Sequence, residues 1–72
     1  MKFNSERFAQ MLRLRQYEKR LNVTAAAKEI GISKATLSRL NREIGLPDVY
    51  TYFLCCKWLE RDMIAFFNGN RI

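Results

Sequence analysis

The sequence predicts an all-α fold, a compact bundle of about five short helices organised around two central helices joined by a tight turn. Three glycines and one proline in 72 residues leave few of the chain reversals that a sheet of short strands requires. No segment alternates apolar and polar residues long enough to form a half-buried strand, whereas apolar residues recur three and four apart along most of the chain. Five Phe, three Tyr and one Trp within a 49% hydrophobic composition supply the core of a single domain, residues 1–72, and argue against intrinsic disorder.

Each helix carries its own start and stop signals. Asn4 or Ser5 caps a first helix running to about Arg20, with Phe8, Met11, Leu12 and the aliphatic stem of Arg15 on its inward face. Asn22 caps a second helix, 23–30, whose inward positions are Val23, Ala26, Ala27 and Ile30. Gly31 stops it, and Ser33 caps a third helix from Lys34 to about Ile44, with Leu37, Leu40 and Ile44 inward and Gly45 at its end. Asp48 opens a fourth helix with a stripe of Val49, Tyr52, Phe53, Cys56 and Leu59. Asp62 starts a short fifth helix through Phe67, stopped by Asn68 and Gly69. Of the two adjacent rings Phe66 and Phe67, at least one should be exposed in a monomer, because neighbours on a helix cannot both point inward.

The charge is distributed unevenly. Net charge is +6, and residues 1–42 hold ten cationic against three anionic side chains, a balance of +7. The remaining thirty residues hold three against four, a balance of −1. A polyanion-facing surface should therefore lie in the first forty-odd residues. Cys55 and Cys56 are adjacent, a spacing that neither staples distant segments nor pairs as zinc ligands, and no His is present. Both thiols are expected to stay reduced. No cofactor, metal or small-molecule ligand is expected. The first ten residues lack the continuous apolar stretch of a signal peptide, and no window approaches a membrane span, so the expected setting is soluble and cytoplasmic.

The segment 22–40, NVTAAAKEIGISKATLSRL, carries the functional signal. Ala27 lies where two helices cross and a larger side chain would hold them apart, Gly31 makes the turn, Ile32 fills the gap beneath it, and Leu37 and Leu40 anchor the next helix. Lys34, Ala35, Ser38, Arg39 and Arg42 then face outward, a polar and basic row suited to a major groove. This segment resembles the lambda-repressor-like helix-turn-helix family of phage repressors, Cro proteins and bacterial regulators. The likeness continues through residues 47–51, PDVYT, and 56–59, CKWL, and covers about two-thirds of the chain.

The resemblance implies a sequence-specific DNA-binding protein, a phage or bacterial transcriptional repressor of the Cro type working in the host cytoplasm or nucleoid. Its third helix would read base edges with Lys34, Ala35, Thr36, Ser38 and Arg39. Asn22, Thr24, Ser33, Asn41 and Arg42 would contact phosphates. Many relatives carry Gln at the first residue of the second helix, where this chain has Val23, so that contact must be absent or replaced. The expected partner is double-stranded DNA, with a palindromic operator read by a homodimer formed through the C-terminal third, where Trp58, Phe66, Phe67 and Ile72 offer apolar surface.

Other readings remain. A helix-turn-helix module used for protein contact, as in antitoxins or antirepressors, would lack a reason for the basic N-terminal half. An architectural or excision-type protein would bend DNA without repressing by itself. An enzyme fits poorly: there are no His, only two Asp, no glycine-rich phosphate loop and no base beside the cysteines.

Overall fold

The computed structural model describes residues 2–68. Four α-helices form most of it: α1 (Ser5–Glu18), α2 (Val23–Ile30), α3 (Lys34–Asn41) and α4 (Val49–Leu59). Each starts at the cap that its sequence supplies. Asn4 accepts from the Arg7 amide at 3.0 Å, Asn22 from Ala25 at 2.8 Å, Ser33 from Thr36 at 3.0 Å and Asp48 from Thr51 at 2.7 Å. A cap of this kind stabilises a helix by about 1 kcal/mol.

The four helices also stop alike. In each, an amide just past the helix end reaches back to a carbonyl five residues earlier: Leu21 to Gln16, Ile32 to Ala27, Ile44 to Arg39 and Arg61 to Cys56. The residue before each of these donors adopts positive φ: Arg20 at 57°, Gly31 at 98°, Glu43 at 59° and Glu60 at 59°. Only one of the four is glycine, so the other three ends carried no glycine signal. This is why α3 stops at Asn41 and not near Ile44, which is left exposed, and why Gly45 lies in the connector beyond it.

The core gathers Phe8 and Leu12 from α1, Ala26, Ala27 and Ile30 from α2, Leu37 and Leu40 from α3, and Tyr52, Cys55, Cys56 and Leu59 from α4. Ile32 and Val23 pack on its edge. Phe53, expected in the core, is 46% exposed, and Val49 is 77% exposed. The buried stripe of α4 is rotated toward Cys55, because the aromatic cluster fills the space on that side. On α1 the inward row continues through Gln16, which is buried, while Arg15 is half-buried.

The expected fifth helix is a single 3-10 turn, Met63–Phe66, which runs into a two-residue strand, β2 (Phe67–Asn68). This strand pairs antiparallel with β1 (Lys2–Phe3), Phe3 opposite Phe67. Two-residue strands are too short for an alternating pattern to betray them. The change from turn to strand also changes the fate of the adjacent rings: Phe66 is fully buried and Phe67 packs against the core, so neither stands free as expected. Phe3 lies 5.5 Å from Phe8, 5.5 Å from Tyr52 and 5.4 Å from Phe67 between ring centres, tying both ends of the described chain to α1 and α4. Met63 is exposed, and its carbonyl accepts from the Tyr52 hydroxyl. Gly69 and Ile72 lie outside the described residues. Among those described, no helix is long and apolar enough to cross a membrane.

Two predictions follow from this core. Ala27→Leu should overpack it and destabilise by about 1–3 kcal/mol in urea unfolding, and an unchanged midpoint would contradict the packing. Both cysteines are free and buried, and burial, with the neighbouring Cys56 adding, pushes the Cys55 thiol up to about 12 from an ordinary 9.0. The unfolded thiol therefore ionises first as pH rises, so stability should fall between about pH 9 and 12, and less steeply in Cys55→Ala. A urea midpoint that holds level across that window contradicts this.

Candidate nucleic-acid interface

The outward side of α3 is the candidate surface. Leu37 and Leu40 point into the core, and the helix geometry then turns Lys34, Ala35 and Arg39 to solvent, with Ser38 half-buried between them. Arg42, one residue past the helix, lays its Nε 3.4 Å from the Ser38 carbonyl. Lys34, Ala35, Ser38, Arg39 and Arg42 together line one shallow, open concavity. Its lining holds three cations and no carboxylate.

The cations of the molecule are sorted by what faces them. Arg15 pairs with Glu60 at 3.3 Å and Lys19 with Glu29 at 3.3 Å. The Trp58 indole donates to Glu29 at 3.0 Å, and this bond, with Lys19, holds the Glu29 carboxyl below its ordinary range. The Arg15 guanidinium stands 5.9 Å from the Trp58 ring centre. That cluster braces α1, α2 and α4. Among the described residues, the three cations of α3 and its following turn have no carboxylate at ion-pair distance.

The remaining sequence-derived residues divide. Asn22 and Thr24 are exposed at the start of α2, where the first backbone amides of a helix favour an anion. The Asn22 carbonyl oxygen is used in capping, which leaves its amide NH₂ outward. Ser33 is exposed, yet its hydroxyl both caps Thr36 and donates to the Thr36 Oγ1 at 2.8 Å. Thr36 lines a second groove with Arg39, Pro47, Asp48 and Thr51. The Thr51 amide holds Asp48 below the usual carboxylate range, so that groove sets one carboxylate beside the Arg39 cation.

Asn41 is turned inward. Its side-chain amide exchanges hydrogen bonds with Gln16, 2.9 Å from the Gln16 Nε2 and 3.3 Å to its Oε1. Gln16 is also held by the Leu12 carbonyl at 3.0 Å, and Arg13 donates to the Asn41 carbonyl at 2.6 Å. A cation on the last carbonyls of α3 suits the negative end of the helix. Asn41 thus fixes α3 on α1 instead of reaching out to phosphate. Gln16 and Arg13 were missed as positioning residues, although Gln16 continues the spacing of Phe8 and Leu12 by four. Val23 packs on the core edge and offers no polar contact there. Compared with protein-family models, curated proteins and solved structures, the chain shows no match.

Because the amides of Gln16 and Asn41 satisfy one another, their loss should not add. Gln16→Ala and Asn41→Ala are each expected to destabilise by about 1–3 kcal/mol, and the double variant by about 1 kcal/mol less than their sum. A double-mutant cycle in urea that proved additive would show the pair uncoupled.

Proposed function

We propose that the protein binds double-stranded DNA in a sequence-specific way, α2 and α3 acting as a helix-turn-helix with α3 in the major groove. The observation that carries this reading is the exposed concavity on α3, three cations without a carboxylate, set on a helix whose opposite side is buried. A transcriptional regulator of the repressor type is the role that suits it.

Each residue has a task set by its chemistry. Arg39 presents a planar fork that matches O6 and N7 of guanine, while Lys34 reaches a guanine edge or the nearest phosphate. Ala35 and the Thr36 methyl suit the methyl group of thymine, and Ser38 pairs with either kind of base edge. Arg42, beyond the end of α3, neutralises a phosphate. Asn22 and Thr24 offer polar atoms, and the amides at the starts of α2 and α3, Ser33 among the latter, offer N–H groups to the backbone. The eight residues of α3 rise about 12 Å, the length of three to four base-pair steps. One copy therefore reads only a short half-site.

Anisotropy titrations on a site selected from a random duplex library, against a scrambled duplex and across a salt series, separate the tasks. Arg39→Ala should lose about 1–3 kcal/mol on the selected site and relax discrimination at one base pair. Arg42→Ala should weaken both duplexes alike and lower the slope of log affinity against log salt by about one. Lys34→Ala should show some of each. Equal, sequence-independent losses for Arg39 and Arg42 would overturn base readout by α3 and favour an architectural role.

A further inference from the structure

We propose that Ser33 locks the Thr36 hydroxyl as a hydrogen-bond donor, and that Thr36 uses it to select an acceptor on a base edge next to the one met by Arg39. This role rests on the DNA reading of α3 and adds to it a residue that tells acceptor groups from amino groups.

A hydroxyl carries one proton and two lone pairs, so a freely turning threonine meets donors and acceptors alike and discriminates little. Ser33 removes that freedom. Its Oγ accepts from the Thr36 amide at 3.0 Å and donates to the Thr36 Oγ1 at 2.8 Å. Accepting from the amide strengthens the Ser33 hydroxyl as a donor, which fits the direction of the second bond. The Ser33 proton is thereby engaged, and the Thr36 proton is turned away from Ser33. Among the described residues no acceptor takes it.

Thr36 is half-buried and lines a groove with Arg39, Asp48 and Thr51. Asp48, whose carboxylate is the acceptor of that groove, bonds the Thr51 amide at 2.7 Å and not Thr36. Thr36 and Arg39 stand three residues apart, which makes them neighbours on one side of α3, and Arg39 also lines the cationic concavity. Three residues rise about 4.5 Å, close to one base-pair step. With Arg39 on a guanine, the Thr36 hydroxyl meets the adjacent pair. A donor there favours N7 of a purine, O6 of guanine or O4 of thymine, and disfavours the exocyclic amino groups of adenine and cytosine.

Anisotropy titrations of the full chain on the library-selected duplex and its single-pair substitutions test this as ratios of affinity, in which uniform losses cancel. Thr36→Val keeps the shape and the methyl group but has no proton to give. It should lower discrimination about fivefold at one pair, adjacent to the pair that Arg39→Ala relaxes. Thr36→Ser should retain it. The variant that isolates Ser33 is Ser33→Asp. An ionised carboxylate caps the Thr36 amide as serine does, but it only accepts, so it takes the Thr36 proton and leaves a lone pair outward. Ser33→Asp should therefore lose the same discrimination as Thr36→Val, while Ser33→Thr keeps it. Circular dichroism melts that match the wild type show that the variants fold. Discrimination left intact in Thr36→Val or in Ser33→Asp, while Arg39→Ala relaxes its own pair, would overturn this role and leave the DNA reading standing. A Thr36→Val loss equal on every duplex, the mark of a phosphate contact, would overturn it as well. A wild type that does not distinguish the selected from a scrambled duplex would overturn both.

Discussion

The rest of the molecule depends on how an eight-residue helix is held in place. A helix as short as α3 does not persist alone in water, because two turns of hydrogen bonds hardly offset the cost of nucleation. Its stability comes from outside: Leu37 and Leu40 buried against α1, α2 and α4, the Ser33 cap at its start, and the Gln16–Asn41 pair with Arg13 at its end. These same contacts set its rotation. With two leucines fixed inward and Asn41 fixed on α1, Lys34, Ala35 and Arg39 have one side left to occupy. The proposed readout thus follows from packing, and a disturbance of the core would reach the interface without touching any residue on it.

Charge is partitioned by the same packing. The basic first part of the chain supplies both structural and outward cations, and the structure separates them. Arg15 and Lys19 are consumed in the brace around Trp58, while Lys34, Arg39 and Arg42, among the described residues, have no carboxylate at ion-pair distance. Asp48 confines the positive region further, since its anionic carboxylate borders the groove beside Thr36. A duplex bound as proposed would therefore meet a positive strip bordered by the Asp48 carboxylate.

Much of this was legible in the sequence, and the failures have physical causes. The four helix starts were readable because Asn4, Asn22, Ser33 and Asp48 each carry the side-chain oxygen that a cap requires. The end of α3 was not, because Glu43 takes the left-handed conformation without being glycine. The outward row on α3 was readable from the spacing of Leu37 and Leu40. Asn41 was misplaced because its position suits an outward clamp, and only the fold brings Gln16, twenty-five residues away, into its reach. The inward reading of Phe53 and the exposed reading of one of Phe66 and Phe67 failed for one reason: a short strand pair and a 3-10 turn, both invisible to helical periodicity, decide which aromatic side chains fill the space beside α4.

The central claim is that duplex DNA meets the protein along α3 and the start of α2. Backbone amide shifts of ¹⁵N-labelled protein, followed by NMR as a library-selected duplex is added, test it residue by residue. The account predicts the largest changes at 33–42, smaller ones at 22–24, and little change along the outward residues of α4. Changes centred on 49–57 with α3 undisturbed, or none at all at a stoichiometric amount of duplex, would contradict it.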